Sequence, residues 1–191
     1  MPITVPHNVL IDREQIRTRV GEIGRQLSRD LVGELMNEGE DALTHSGRVV
    51  MVPVLTGALV FTADLIREMP LKLSMDMVSV SSYPGTTTES KGAALRGAIP
   101  KNLAGKHVVV VDDILDSGRT MKLVTEAIGE QSPASVRSCV LLNKPSRRVV
   151  DFKADYVGFE IPDAFVVGYG LDYDGYYRNL PEIIELTGEG L

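Results

Sequence analysis

The chain has one cysteine and no tryptophan in 191 residues, and 5% of its residues are aromatic. The lone Cys139 cannot close an intramolecular disulfide, so a packed core must hold the fold and a cytoplasmic location is expected. Its setting in the apolar run SCVLLN leaves two readings, a small buried hydrophobe or a reactive thiol. No apolar run approaches the roughly 18 residues of a membrane span, so no membrane association is expected. The opening residues MPITVPHNVLIDREQ lack the basic-then-apolar order of a secretory signal. A cationic excess is missing too. The net charge is −6, which argues against nucleic acid as a partner, because that needs a basic footprint. A phosphorylated small molecule stays open, since a few N–H groups and a divalent metal suffice to hold it. Repeats and low-complexity tracts are absent as well.

With 43% hydrophobic and 24% charged residues, one globular domain over residues 1–191 is expected. Asp12 can cap a helix whose apolar positions Ile16, Val20, Ile23, Leu27 and Leu31 form one stripe. A polar stretch, residues 37–47, leads to a strand over 48–55, a helix over 58–67 and a second strand over 71–80. Residues 81–105 are rich in Ser, Thr, Gly and Lys and read as a functional loop or mobile hairpin. A buried strand over 108–111, a helix over 119–131, a strand over 135–142 and short segments at 156–160 and 165–169 follow. Strands alternating with helices imply a doubly wound α/β domain with a mainly parallel sheet. Its core spans about residues 48–145. The chain ends, about 1–15 and 146–191, build a small lobe.

The densest chemistry lies in VVVVDDILDSGRT, residues 108–120. Four β-branched residues make a buried strand, two carboxylates stand where it ends, and a Ser-Gly loop opens a helix. Ligands of open α/β sheets bind beyond the carboxyl ends of the strands. A helix N-terminus reached through a glycine loop offers free N–H groups to an anion. The arrangement suggests a sugar phosphate, with the phosphate in the loop and acidic groups facing sugar hydroxyls or their metal.

These residues resemble the phosphoribosyl-pyrophosphate motif of the type I phosphoribosyltransferases: an apolar strand, two acids (Asp112, Asp113), two apolar residues, Asp116, Ser117, Gly118, Arg119 and Thr120. The C-terminal stretch ADYVGFEIPDAFVVGYGLDYDGYYRNLPEI resembles the hypoxanthine–guanine branch of that family. The likeness runs from about Ile11 to Leu186. It implies the type I fold and transfer of a phosphoribosyl group from phosphoribosyl pyrophosphate to a 6-oxopurine (hypoxanthine, guanine or xanthine). By the same resemblance Asp112 and Asp113 serve the ribose hydroxyls or the Mg2+ shell. Residues Ser117 to Thr120 hold the 5-phosphate, and Asp116 is the general base. Thr56 and Gly57 form the pyrophosphate loop, and Ser82 and Tyr83 open a catalytic loop. Lys144 donates to the purine 6-oxo group, Phe165 stacks on the ring and Val166 gives backbone contacts. Asp172 holds metal, and Arg178 binds pyrophosphate. A homodimer or homotetramer is implied. Three departures stand out: Thr56 replaces a common Lys, Asp112 a common Glu, and residues 37–46 are longer than usual. The rival expectation is an RNA-binding regulator on the same fold, which the acidic charge and the purine-type Lys144 and Phe165 disfavour.

Overall fold

The computed structural model describes residues 7–39, 47–81, 94–96 and 99–187. Strand β1 (His7–Ile11) leads into α1 (Arg13–Asn37), which Asp12 caps by accepting from the Glu14 and Gln15 N–H groups while the Gln15 side chain accepts from the Asp12 N–H. That reciprocal box fixes where the helix starts. The apolar stripe runs on to Leu35 and is buried throughout. Then come β2 (Val49–Leu55), α2 (Ala58–Arg67), β3 (Leu73–Met75), β4 (Val78–Ser81), β5 (Ala94–Arg96), β6 (His107–Leu115), α3 (Arg119–Gly129), β7 (Ser135–Asn143), β8 (Tyr156–Glu160), β9 (Val166–Val167) and β10 (Ile183–Leu186).

The main sheet has the order β5-β4-β2-β6-β7-β8, with β3 also on β2. Every pairing in it is parallel except β4 with β5. Side chains alternate between its faces, as the two-residue period of a strand requires. Val49, Met51, Val109, Val111, Cys139 and Leu141 pack with α1 and α2 residues such as Leu27 and Phe61. Val50, Val52, Val54, Val108, Val110 and Val140 pack with Met121, Val124 and Ile128 of α3. Helices thus cover both faces of a mainly parallel sheet, the doubly wound arrangement the alternation of segments predicts. Cys139 takes the first of its two readings: it is fully buried, and burial pushes its thiol up.

Three expectations need correcting. The strand predicted over residues 71–80 forms as two, β3 and β4. The Met51 carbonyl accepts from the Asp76 N–H, so by strand alternation Pro53 faces this same edge. Proline has no N–H to give, and the ladder breaks there. Second, of the two readings of residues 81–105, the described part fits a hairpin and not one polar loop, since β5 runs antiparallel to β4. Ser81 ends β4, Ala94–Arg96 adds β5, and Leu103 sits in the α3-side core. The Pro100 carbonyl accepts from the Gln131 side chain, and the Gly105 N–H donates to the Ser132 carbonyl. Third, the chain ends hold two strands that periodicity did not reveal, β1 and β10, while β9 falls within the segment expected over 165–169. β1, β10 and β9 form an antiparallel three-stranded sheet beside the main one.

Candidate active site

β6 keeps β7 as its partner to the end, pairing Asp112 with Val140 and Leu115 with Asn143, but it loses β2 after Val111. The sheet splits at that point. Asp112 and Asp113 therefore lie inside the strand, at the split, and not beyond its end as the sequence suggests. A cavity of about 300 Å³ occupies the split, with Leu55 and Gly57 on one wall and Asp112, Asp113, Asp116, Ser117, Gly118 and Thr120 on the other. Asp112 is buried, and its Oδ1 accepts from the Asp113 N–H at 3.0 Å. Burial, reinforced by the neighbouring Asp113 carboxylate, pushes its carboxyl well above the usual range, and burial raises Asp113 as well. Such a pair favours whatever brings positive charge or hydrogen-bond donors: a divalent cation or sugar hydroxyls.

The loop after β6 is tied down from behind. The Ser117 carbonyl accepts from the N–H groups of Val149 and Val150, at 3.0 and 3.2 Å. Arg148 donates to the Asp116 carbonyl at 2.6 Å and also to the Asn143 side chain. Gly118 precedes α3 with φ +83°. The N-terminal turn of α3 then opens on the cavity with N–H groups that have no partner within the helix. Arg119 itself does not line the cavity, and Thr56 is exposed and outside it.

Gly57 is needed for a reason the sequence does not reveal. It looks like the bend of a turn, yet its φ and ψ are helical, −60° and −42°. What it supplies is space, because a Cβ there would lie 1.9 Å from Asp113 Oδ2. Gly170, with φ +105°, crosses above it, where a Cβ would lie 2.3 Å from the Gly57 carbonyl oxygen. The preceding Leu55–Thr56 peptide is cis. Gly57→Ala is expected to push the Asp113 carboxylate aside and lower stability by about 1–3 kcal/mol, the usual cost of overpacking. Thermal unfolding measures this, and an unchanged melting temperature would mean that Asp113 turns away without cost.

A second cavity, about 450 Å³, shares Asp113, Ile114 and Asp116 with the first and adds Lys144, Arg147, Asp163, Phe165, Val166 and Asp172. Lys144 closes β7. It is 8% exposed, and its Nζ donates to the Ala164 carbonyl at 2.5 Å. A solvated strand-end lysine would not be so placed. Phe165 is 45% exposed and meets Tyr173 edge to face, with centroids 5.4 Å apart. Val166 is buried at the start of β9. Asp172 accepts from the Gly175 N–H at 2.8 Å and pairs with Arg178 at 2.6 Å. Arg178 also donates to the Gly170 carbonyl and borders neither cavity. It faces a third one between α1, α2 and the C-terminal segment.

The predicted site residues therefore assemble around two joined cavities, apart from Thr56, Arg119 and Arg178. Ser82 and Tyr83 lie outside the described residues. Sequence reading passed over Arg147, Arg148, Asp163 and Gly170. Two consecutive arginines just after a strand-end Lys-Pro, and a Gly-Tyr-Gly that follows the apolar pair Val166-Val167, are the signals that could have pointed to them. Among the described residues no three His, Cys, Asp or Glu side chains group to hold a metal by themselves. The donors are an adjacent carboxylate pair and, separately, Asp172. That fits Mg2+, which takes one or two protein carboxylates and fills its shell with water and substrate phosphate.

Residues 19–174 match the family model described as the phosphoribosyl transferase domain. The chain is 41% identical over 175 residues to a hypoxanthine-guanine phosphoribosyltransferase of Bacillus subtilis, covering 92% of this chain and 90% of that protein. It is 38% identical over 175 residues to a hypoxanthine phosphoribosyltransferase of Salmonella typhimurium, covering 92% of each. Among solved structures, a hypoxanthine phosphoribosyl transferase of Trypanosoma cruzi superposes with a TM-score of 0.85 at 34% identity, covering 98% of this chain and 94% of that one.

Proposed function

The chain belongs to the phosphoribosyl transferase family, and from that premise we propose that it moves the phosphoribosyl group of phosphoribosyl pyrophosphate onto a 6-oxopurine in purine salvage. The observation that carries this reading is the pair of joined cavities meeting at Asp116, one with an anion-binding loop and a carboxylate pair, the other with a buried lysine and an open aromatic ring. The relatives named above are enzymes, and an RNA-binding regulator finds no support in them.

The 5-phosphate is held by the α3 N-terminus and the hydroxyls of Ser117 and Thr120. Asp112 and Asp113 take the ribose hydroxyls and set negative charge beneath the anomeric carbon as it becomes cationic. The purine lies against Phe165 and Val166. Its 6-oxo group accepts from Lys144, whose ammonium has donors and no acceptor and so discriminates against the amino group of adenine. Asp116 removes the imidazole proton. The ring nitrogen then bonds to C1′ as the C1′–oxygen bond breaks and its electron pair leaves with pyrophosphate. Arg178 is the side chain assigned to pyrophosphate, and it reaches that role by leaving Asp172. Asp112, Asp113 and Asp172 are the residues that would hold Mg2+, which would supply neutralising charge for the leaving group. Asp172→Ala is expected to raise the magnesium concentration for half-maximal rate by about tenfold or more, in the range seen when a metal-site carboxylate partner is lost. A magnesium titration with an unmoved midpoint would remove Asp172 from that role.

The test of the function is turnover with phosphoribosyl pyrophosphate and hypoxanthine, guanine, xanthine or adenine, followed by pyrophosphate release. Turnover with 6-oxopurines and none with adenine is expected, and turnover with adenine alone would overturn the assignment. Among the described residues no helix is long and apolar enough to cross a membrane. A homodimer or homotetramer in the cytoplasm completes the proposal, with sedimentation as its check.

A further inference from the structure

Two neighbouring arginines grip Asp116 from opposite ends. Arg148 holds its main chain through the carbonyl. Arg147 stands beside its side chain, with Nε 3.4 Å from Asp116 Oδ1, while the other end of the guanidinium lies 3.6 Å from Asp163 Oδ2. Asp116 Oδ1 is buried and accepts no hydrogen bond. A carboxylate in that state gains by turning toward water, since a buried polar atom without a partner is costly. The cation that opposes this turn is anchored by a second carboxylate. Asp163 in turn adjoins Ala164, whose carbonyl takes Lys144, and stands two residues before Phe165. Arg147 therefore spans the second cavity from the phosphate loop to the segment bearing the aromatic ring.

We propose that Arg147 is a positioning residue for Asp116, a strut that holds the carboxylate toward the purine. The proposal rests on the reading of Asp116 as the general base. The Nε–Oδ1 contact is longer than a hydrogen bond, as catalytic contacts often are before substrate tightens them. A planar fork carries donors on separate edges and so spans two separated carboxylates, whereas a lysine ammonium concentrates its three donors at one point. The Arg147 side chain is 54% exposed, so its removal leaves no core void.

The experiment measures kcat, both KM values and melting temperature for Arg147→Ala and Arg147→Lys, each alone and combined with Asp116→Asn. Arg147→Ala is expected to lower kcat about 10–100-fold, the scale of a misplaced catalytic group. The KM for phosphoribosyl pyrophosphate and the melting temperature should stay unchanged. Arg147→Lys should recover part of the loss by keeping the charge. In the Asp116→Asn background Arg147→Ala should cost nothing more, because its effect passes through that carboxylate. An unchanged kcat in Arg147→Ala, or an equal loss in both backgrounds, overturns the strut. Full activity of Asp116→Asn alone overturns the base assignment instead. Asp163→Asn keeps Arg147 and cuts its far anchor, so it should lower kcat by a smaller factor, and a normal rate there also counts against the strut.

Discussion

Asp116→Asn is expected to lose about 10²–10⁴-fold in kcat, the usual contribution of a positioned acid–base group. The substitution is nearly isosteric, and the hold of Arg148 on this residue runs through its main-chain carbonyl, which the variant keeps. The Ser117 carbonyl also keeps its two bonds from Val149 and Val150, so the phosphate loop stays in place. What disappears is the capacity to take a proton from the imidazole ring. The KM for phosphoribosyl pyrophosphate should therefore hold while kcat falls. Steady-state kinetics beside a melting curve separates the two effects. A variant that turns over near the wild-type rate would remove Asp116 from acid–base chemistry and return the loop to phosphate binding alone.

How the sequence foreshadows this site differs from part to part. The residues around Asp112–Thr120 are legible because strand, acids, loop and helix follow one another along the chain, and local pattern records such order. Lys144 and Phe165 are legible by resemblance, but the contact that joins them, Nζ to the Ala164 carbonyl, spans 20 positions and leaves no periodic trace. Gly57 shows the limit most clearly. Its neighbours suggest a bend, while the demand comes from a carboxylate 56 residues later (57 to 113) that fills the space of its missing side chain. Likewise Pro53 lies in plain view within RVVMVPVL, yet its effect on the 71–80 strand depends on which edge of β2 it faces, a fact of register. β1 and β10 pair across nearly the whole chain, each too short for its own pattern to be distinctive. Thr56, the departure from the common Lys, is exposed and borders neither cavity, whereas its neighbour Gly57 lines the first.

Lys144→Ala is expected to raise the KM for hypoxanthine and guanine by about 10–150-fold, which is the about 1.5–3 kcal/mol of a charge-assisted hydrogen bond converted at 1.4 kcal/mol per decade. The lysine is buried at the end of β7 and already spends one donor on the Ala164 carbonyl, beside the ring of Phe165. Truncation thus removes the donor to the ring oxygen and also leaves that carbonyl without its partner. The first loss weakens purine binding, and the second loosens the segment on which the purine lies. The first cavity, proposed for phosphoribosyl pyrophosphate, does not include Lys144, so the KM for that substrate should not move. Lys144→Gln discriminates further. Its amide can donate to the Ala164 carbonyl and carries an acceptor that an ammonium lacks, so it should admit the amino group of adenine. Comparing kcat/KM for hypoxanthine and adenine in the two variants decides the matter. If both variants bind 6-oxopurines as the wild type does, Lys144 is a structural clasp for Ala164 and the base is read by other groups; if Gln gains adenine while Ala does not, the ammonium is what restricts the enzyme to 6-oxopurines.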